Sequence, residues 1–405
     1  MTLTPTLMNQ LQLDPYELTR LGGAHTAREI LQQPAVWSAV HDLVAGQRAA
    51  LDAFLDPLLA LPNLRIVLTG AGSSAFIGQC LAPVLLRELA NRLADRPGVR
   101  IEAVATTDIV SSPEQCLQAG VPTLLVSFAR SGNSPESLAA VELADAVVTN
   151  CHHLVITCAA EGALNRRLGA ASGHARAHVL LLPDETHDRA FAMTSSFTGM
   201  LLAAAWAFGL PMLAPQALAS AVEGLLAEQT ARLHALAVLP LQRIVYLGSN
   251  ALLGLAREAA LKMLELTDGQ WVAVADSALG FRHGPKTIVN DRTLVVFVLS
   301  NDPHTRLYDL DLLDELRREG RAARVLALGA AAAFDKKHAS DDIGLALAAD
   351  APDLALAVVA LVWAQSLALF ASLRHGLTPD NPSASGTVTR VVSGVIIHPH
   401  PSQTE

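Results

Sequence analysis

Charge is scarce in this chain and nowhere gathered. Only 17% of its 405 residues are Asp, Glu, Lys or Arg, the net charge is -9, and no block of Lys or Arg occurs. That excludes a basic groove for nucleic acid, whose affinity rests on clustered cations. An anionic ligand must be gripped by a local site. Cysteine is as sparse: Cys80, Cys116, Cys151 and Cys158 lack zinc-ligand or CxxC spacing. A chain this long buries enough core to need no staples, so the reduced thiols of a cytoplasmic protein are expected. The opening residues MTLTPTLMNQLQLDP hold no basic segment followed by an apolar one, so no secretory signal is read there. One long apolar run does exist, LALAVVALVWAQSLALFASL over residues 354–373. It is long enough to cross a bilayer. It is nevertheless Ala-rich, holds Gln365 and two Ser, and lies beside Asp350 and Asp353. A fully buried core helix is expected, and no membrane partner.

What the chain does have is repetition. RIVLTGAGSSAFIGQCLAPVLLREL (65–89) reads like RIVYLGSNALLGLAREAALKMLEL (243–266), with two extra residues in the first loop. The segment 123–145 likewise answers 293–317, 153–167 answers 323–337, and 178–209 answers 342–373. Each pair is a short apolar strand, a polar turn and a helical or loop segment. Strands alternating with helices, with continuous apolar strand runs, predict an α/β protein whose parallel sheets are covered on both faces. Two tandem doubly wound domains are expected, residues 48–215 and 216–377, after a helical N-terminal extension over 1–47 and before a tail over 378–405. Ligands of such sheets bind at the carboxyl ends of the strands.

The two copies differ where chemistry would sit. With Gly78 aligned to Gly254, the first copy places Ala82, Leu86 and Leu89 where the second has Glu258, Lys262 and Glu265. Spacing of i, i+4 and i+7 puts each trio on one helical face. An ion pair on a solvated face is the plain explanation. Two carboxylates flanking a Lys also form a proton-transfer constellation, and the contrast between copies favours it. The loops differ in the opposite sense. Gly70-Ala71-Gly72-Ser73-Ser74 and Ser131-Gly132-Asn133-Ser134-Pro135 each open a helix in the first copy. Ser at a helix start is ordinary capping, but two such loops on neighbouring strands make a phosphate cradle that needs no Lys. The GAGSSA turn fits neither dinucleotide nor P-loop patterns. Cys151-His152-His153 is not expected to hold a metal, because adjacent residues do not easily face one ion.

The motifs FARSGNSPES (128–137), REAALKMLELTDG (257–269), LGFRHGPK (279–286) and GLTPDNPSASGTVTRVV (376–392) carry a resemblance. From about residue 45 to 398 the chain resembles tandem SIS (sugar isomerase) proteins, and among them the AgaS type. That resemblance implies a flavodoxin-like or Rossmann-like fold in each copy. It also implies a phosphosugar substrate, no cofactor, and an isomerase or amino-sugar-phosphate deaminase. By similarity to the isomerase half of glucosamine-6-phosphate synthase, Ser73, Ser74, Ser131, Asn133 and Ser134 would hold the phosphate, with Gly72, Arg130, Thr194, Ser385 and Thr387 lining the substrate. Glu265 would move the proton between C1 and C2, with Lys262 one turn earlier and Glu258 beside it. His283 would open the sugar ring, contributed across the interface of a homodimer or higher homo-oligomer.

Two departures bear on the reaction. The Schiff-base Lys of the synthase falls at Thr387 here, and Ala129 stands where the synthase has a third loop Ser. The chain as read starts MTLTP, without the nucleophilic Cys of the glutaminase half, so synthesis from glutamine is not expected. A deaminase acting on galactosamine 6-phosphate is the first reading, a ketose/aldose isomerase on a sugar such as tagatose 6-phosphate the second. A non-catalytic phosphosugar sensor is a third, and it would have no use for the four ionisable residues together.

Overall fold

A computed structural model describes residues 9–92, 98–169, 176–334, 341–383, 385–392 and 394–399. Contacts divide the chain into two units. The first-sheet unit comprises Val36–His187, Ser195–Leu210 and the residues from Thr389 on. The second-sheet unit comprises the residues up to Ala35, Asp188–Thr194 and Pro211–Val388.

In the first-sheet unit the order is β1 (Arg65–Thr69), α1 (Ser73–Arg92), β2 (Arg100–Ala103), β3 (Thr123–Ala129), α2 (Pro135–Val147), β4 (Cys151–Thr157), β5 (Ala177–Leu181) and α3 (Ser195–Ala207). The second-sheet unit follows with α4 (Pro215–Ala237), β6 (Arg243–Gly248), α5 (Ala251–Leu266), β7 (Val272–Asp276), β8 (Thr293–Val298), α6 (Pro303–Glu319), β9 (Arg324–Ala330), β10 (Ile343–Leu345) and α7 (Asp353–Arg374). The sheets run β2-β1-β3-β4-β5 and β10-β9-β8-β6-β7. Read from the homologous edge, both have order 2-1-3-4-5, and every pairing is parallel. The duplication seen in the sequence is therefore a duplication of topology.

Strands β3 and β8, TLLVSFA and TLVVFV, are buried along their whole length, because helices cover both faces of a parallel sheet. Under the first sheet Val67, Leu125 and Val155 pack with Ala140, Val141 and Ala144 of α2. Under the second, Val245, Val295 and Phe297 pack with Leu312, Leu313 and Leu316 of α6. The repeats found in the sequence contain four strands per copy, and the structure adds a fifth, β2 and β7. Both are edge strands, RIEA and VAVAD, exposed or half-buried except at Ala273, and the repeats in the sequence do not include them. Helices Pro15–Arg20, Ala24–Leu31, Gln33–Gly46 and Arg48–Leu59 precede β1.

Helix α7 is long and apolar enough to cross a membrane, with a mean hydropathy of 2.2 over its most apolar window, yet that window is wholly buried. It packs against α4 and α5 inside the second-sheet unit, as expected of a core helix.

Candidate functional site

In the first-sheet unit, hydroxyl-bearing turns leave two neighbouring strands at one edge. β1 and β3 pair in register from Arg65↔Thr123 to Thr69↔Ser127, so the turns after them emerge side by side. After β1, Gly72 takes a φ of 56°, and Ser73 and Ser74, both buried, begin α1. A Cβ on Gly70 would stand 2.7 Å from the Ser74 carbonyl carbon. The strand meets its helix too closely there for a larger residue. Gly248, which ends β6, has the same constraint, 2.5 Å from the Leu252 oxygen.

After β3, Gly132 takes a φ of 63°. Ser131 Oγ accepts from the Asn133 N–H at 3.3 Å, and Asn133 Oδ1 accepts from the Ala163 N–H at 2.9 Å. Ser134 stands just before Pro135, the first residue of α2, and its hydroxyl shares a 2.7 Å hydrogen bond with Ser137. The Arg130 guanidinium donates to the Arg390 carbonyl. Two helix N-termini edged with small hydroxyls offer N–H groups, O–H donors and positive dipole ends to an anion.

The matching turns of the second-sheet unit are filled by its own carboxylates, a feature sequence reasoning missed. The Ser249 hydroxyl donates to Asp309 Oδ1 at 2.7 Å and the Ser300 N–H to Asp309 Oδ2 at 3.1 Å. The Ser300 hydroxyl donates to Asp353 Oδ2 at 2.6 Å and the Asn301 N–H to Asp353 Oδ1 at 2.8 Å. Burial pushes the Asp309 carboxyl up and the Asp353 charge adds to it, while the Ser249 and Ser300 hydrogen bonds pull the other way. Donors of the kind that cradle a phosphate are here taken up internally.

The second-sheet unit instead has the ionic helix face. On α5 the side chains of Glu258 and Lys262 are 0% exposed and that of Glu265 is 22% exposed. Lys262 Nζ lies 3.4 Å from Glu258 Oε1 and hydrogen-bonds Glu265 Oε2. The solvated ion pair that was the plain explanation does not describe this face, because two of its three side chains are buried. Only Glu265 reaches the surface. The equivalent face of α1 keeps Leu86 half exposed and Leu89 buried.

The FRHGPK turn follows the short helix Ala278–Phe281 of the same unit. Phe281 is fully buried, while Arg282, His283, Gly284 and Pro285 are exposed. Arg282 pairs with Glu315 at 2.8 Å, and Lys286 pairs with Glu315 and Glu319. Those hydrogen bonds hold Lys286 above and Glu315 below their ordinary ranges. Of the three basic side chains in the turn, two tie it to α6 and His283 stands out from it.

Other candidates have local partners. The Thr194 N–H and hydroxyl donate to Asp188 at 2.7 and 3.2 Å. Ser385 and Thr387 are exposed and hydrogen-bond each other. Among the described residues no hydrogen bond or ion pair joins either to Glu258, Lys262 or Glu265. Cys151 and His153 point to one side of β4, where Asp145 Oδ1 meets His153 Nε2 at 2.7 Å, while His152 meets Asn150. Asp145, Cys151 and His153 offer three donors within 4.8 Å of one another, a set that could hold a metal ion. Burial, with the Asp145 charge, pushes the Cys151 thiol up to about 12, and Arg167 stands 3.7 Å from Asp145. A neutral thiol and a nearby guanidinium both oppose a cation.

Asp188 belongs to a buried acid pair that the sequence did not announce. Glu29 accepts from the Arg189 N–H at 2.7 Å and the Ala190 N–H at 3.2 Å. Burial, then the Asp188 charge, pushes Glu29 up to about 8 against those N–H bonds and Arg28. An acid whose folded pKa exceeds its unfolded value holds its proton in the fold after the unfolded chain has lost it. Its stabilising effect is whole below the unfolded pKa and declines as pH rises to the folded one. Thermal melts from about pH 5 to about pH 9 should therefore show the wild type losing stability with rising pH. Glu29→Gln, which keeps an acceptor oxygen, should flatten that decline, and an unchanged slope would discharge Glu29 as its source.

No protein-family model matches the chain. Curated relatives do: AgaS of Streptomyces coelicolor is 51% identical over 92% of this chain and 95% of its own length. D-galactosamine-6-phosphate deaminase AgaS of Escherichia coli is 48% identical over 93% and 96%. Among solved structures, tagatose-6-phosphate ketose/aldose isomerase from Escherichia coli is 45% identical, covers 93% of this chain and 97% of its own, and superposes with a TM-score of 0.83. At such identity over almost the whole length, with the duplicated parallel sheets in place, the chain belongs to the AgaS family of phosphosugar enzymes.

Proposed function

We propose that the protein is an amino-sugar-6-phosphate deaminase/isomerase, with galactosamine 6-phosphate as its substrate, working in the cytoplasm as a homodimer. The observation that carries this reading is the buried Glu258–Lys262–Glu265 array, whose one accessible member is a carboxylate. In the opened sugar a carboxylate takes the C2 proton and an enolamine forms. Return of a proton at C1 leaves an imine at C2, which water converts to the ketone and ammonia. Glu265 is the base in this scheme. Ser73, Ser74, Ser131 and Ser134 hold the phosphate, and His283 serves ring opening, for which a group titrating near neutrality is suited. An exposed His283 on a tethered turn suits delivery to the site of a second copy, with Leu279 beside it 46% exposed.

The second reading is a plain ketose/aldose isomerase. It is favoured by the name of the Escherichia coli structure, and it needs the same C1–C2 transfer. Ammonia release from purified protein separates the two, with galactosamine 6-phosphate and glucosamine 6-phosphate supplied in turn. Release from the galacto epimer alone is expected. Silence from both, with tagatose 6-phosphate converted, would replace deamination by isomerisation.

A further inference from the structure

His283 has no scaffold of its own. It sits at an exposed tip whose next residue, Gly284, holds a φ of 121°, a value that L side chains rarely adopt. The flanks are fixed from below by Phe281 and Val289, buried in the cluster with Leu312, Leu313 and Leu316 of α6. At the tip, backbone bonds close the turn on itself, from the His283 N–H to the Gly280 oxygen and from the Thr287 N–H to the Gly284 oxygen. Those bonds set the shape of the turn but not its direction.

Charge also ties the turn to α6. Arg282, the residue before His283, reaches Glu315 Oε2 at 2.8 Å, and Lys286, three residues after it, reaches Glu315 Oε1 and Glu319 Oε1. Glu315 and Glu319 are one turn apart on α6, so a single helical face takes both arms of the turn. The four side chains are 23–34% exposed. Isolated surface pairs contribute little, whereas a shared carboxylate in a partly shielded network restricts each neighbour further.

We propose that Glu315, assisted by Glu319, is a positioning residue for His283, clamping the turn on both sides of the imidazole. The inference rests on the role given to His283 above. Misplacement of a reacting group by about 1 Å can cost up to about 10²-fold in rate, so Glu315→Gln should lower kcat by roughly tenfold with little change in KM. Glu315→Asp should restore part of the loss. Raised salt should slow the wild type more than Glu315→Gln, because screening loosens the same pairs.

A double-mutant cycle on ammonia release decides it, with thermal melts showing each variant folded. If Glu315 acts through His283, adding Glu315→Gln to His283→Ala should produce no further loss. Additive losses, or a Glu315→Gln enzyme at wild-type rate beside a crippled His283→Ala, would overturn the clamp and leave the reading of His283 standing. A His283→Ala enzyme at wild-type rate would overturn both.

Discussion

Glu265→Gln should lower turnover of the amino-sugar phosphate by about 10²- to 10⁴-fold, the range for loss of a positioned acid/base. Binding of the phosphosugar should stay within about threefold, because removing a group used in proton transfer spares ground-state contacts. Exposure decides which carboxylate carries this prediction. Glu258 is 0% exposed, so substrate does not reach it in this structure, whereas Glu265 is 22% exposed and holds the same ammonium from the other side. Gln keeps the shape and an acceptor oxygen for Lys262 but has no proton-accepting carboxylate. Steady-state ammonia release and calorimetric titration with the phosphosugar check the two halves separately. A variant at near wild-type rate would remove Glu265 as the base even if deamination were established.

The fold was legible because apolar runs such as RIVLT, TLLVSFA and RIVYLG recur, each followed by a polar turn and a helix. Period and punctuation suffice to identify covered parallel strands. The edge strands β2 and β7 were not legible: charge interrupts RIEA, and the short VAVA run has no similar segment in the first copy to mark it as part of the repeat. For the site, the contrast between Ala82-Leu86-Leu89 and Glu258-Lys262-Glu265 was visible by alignment of the copies. The burial of Glu258 and Lys262 was not, because an i, i+4 ion pair reads the same on a solvated face. Least legible were acids whose partners lie far off in sequence. Asp353 accepts from Ser300 and Asn301 about fifty residues earlier, and Asp380 accepts from the N–H groups of His25 and Thr26, 355 and 354 residues away. Nothing local distinguishes such an aspartate from a solvated one. The clamp on FRHGPK was half visible: its cations stood out, but Glu315 and Glu319 looked like ordinary charges on an outer helix.

Lys262→Met should cost about 3–5 kcal/mol of stability, the usual penalty for taking one partner from a buried ion pair. The Lys262 ammonium lies fully buried beside Glu258 at 3.4 Å, and the Glu258 side chain is equally buried. Removing the cation leaves that carboxylate in the interior with one fewer counter-charge, while Met roughly preserves the apolar stem. If desolvated charge is the cause, Glu258→Leu added to Lys262→Met should regain most of the loss, since apolar replacement of a buried pair is often neutral. Denaturant titration of the two variants and the wild type provides the comparison. Equal or additive losses would mean that the helix depends on Lys262 through packing and not through charge. The double variant should remain inactive even when its stability returns. α5 would then be able to fold with an apolar face, as the matching helix of the first copy does, and the ionic array would be kept for chemistry and not for the fold.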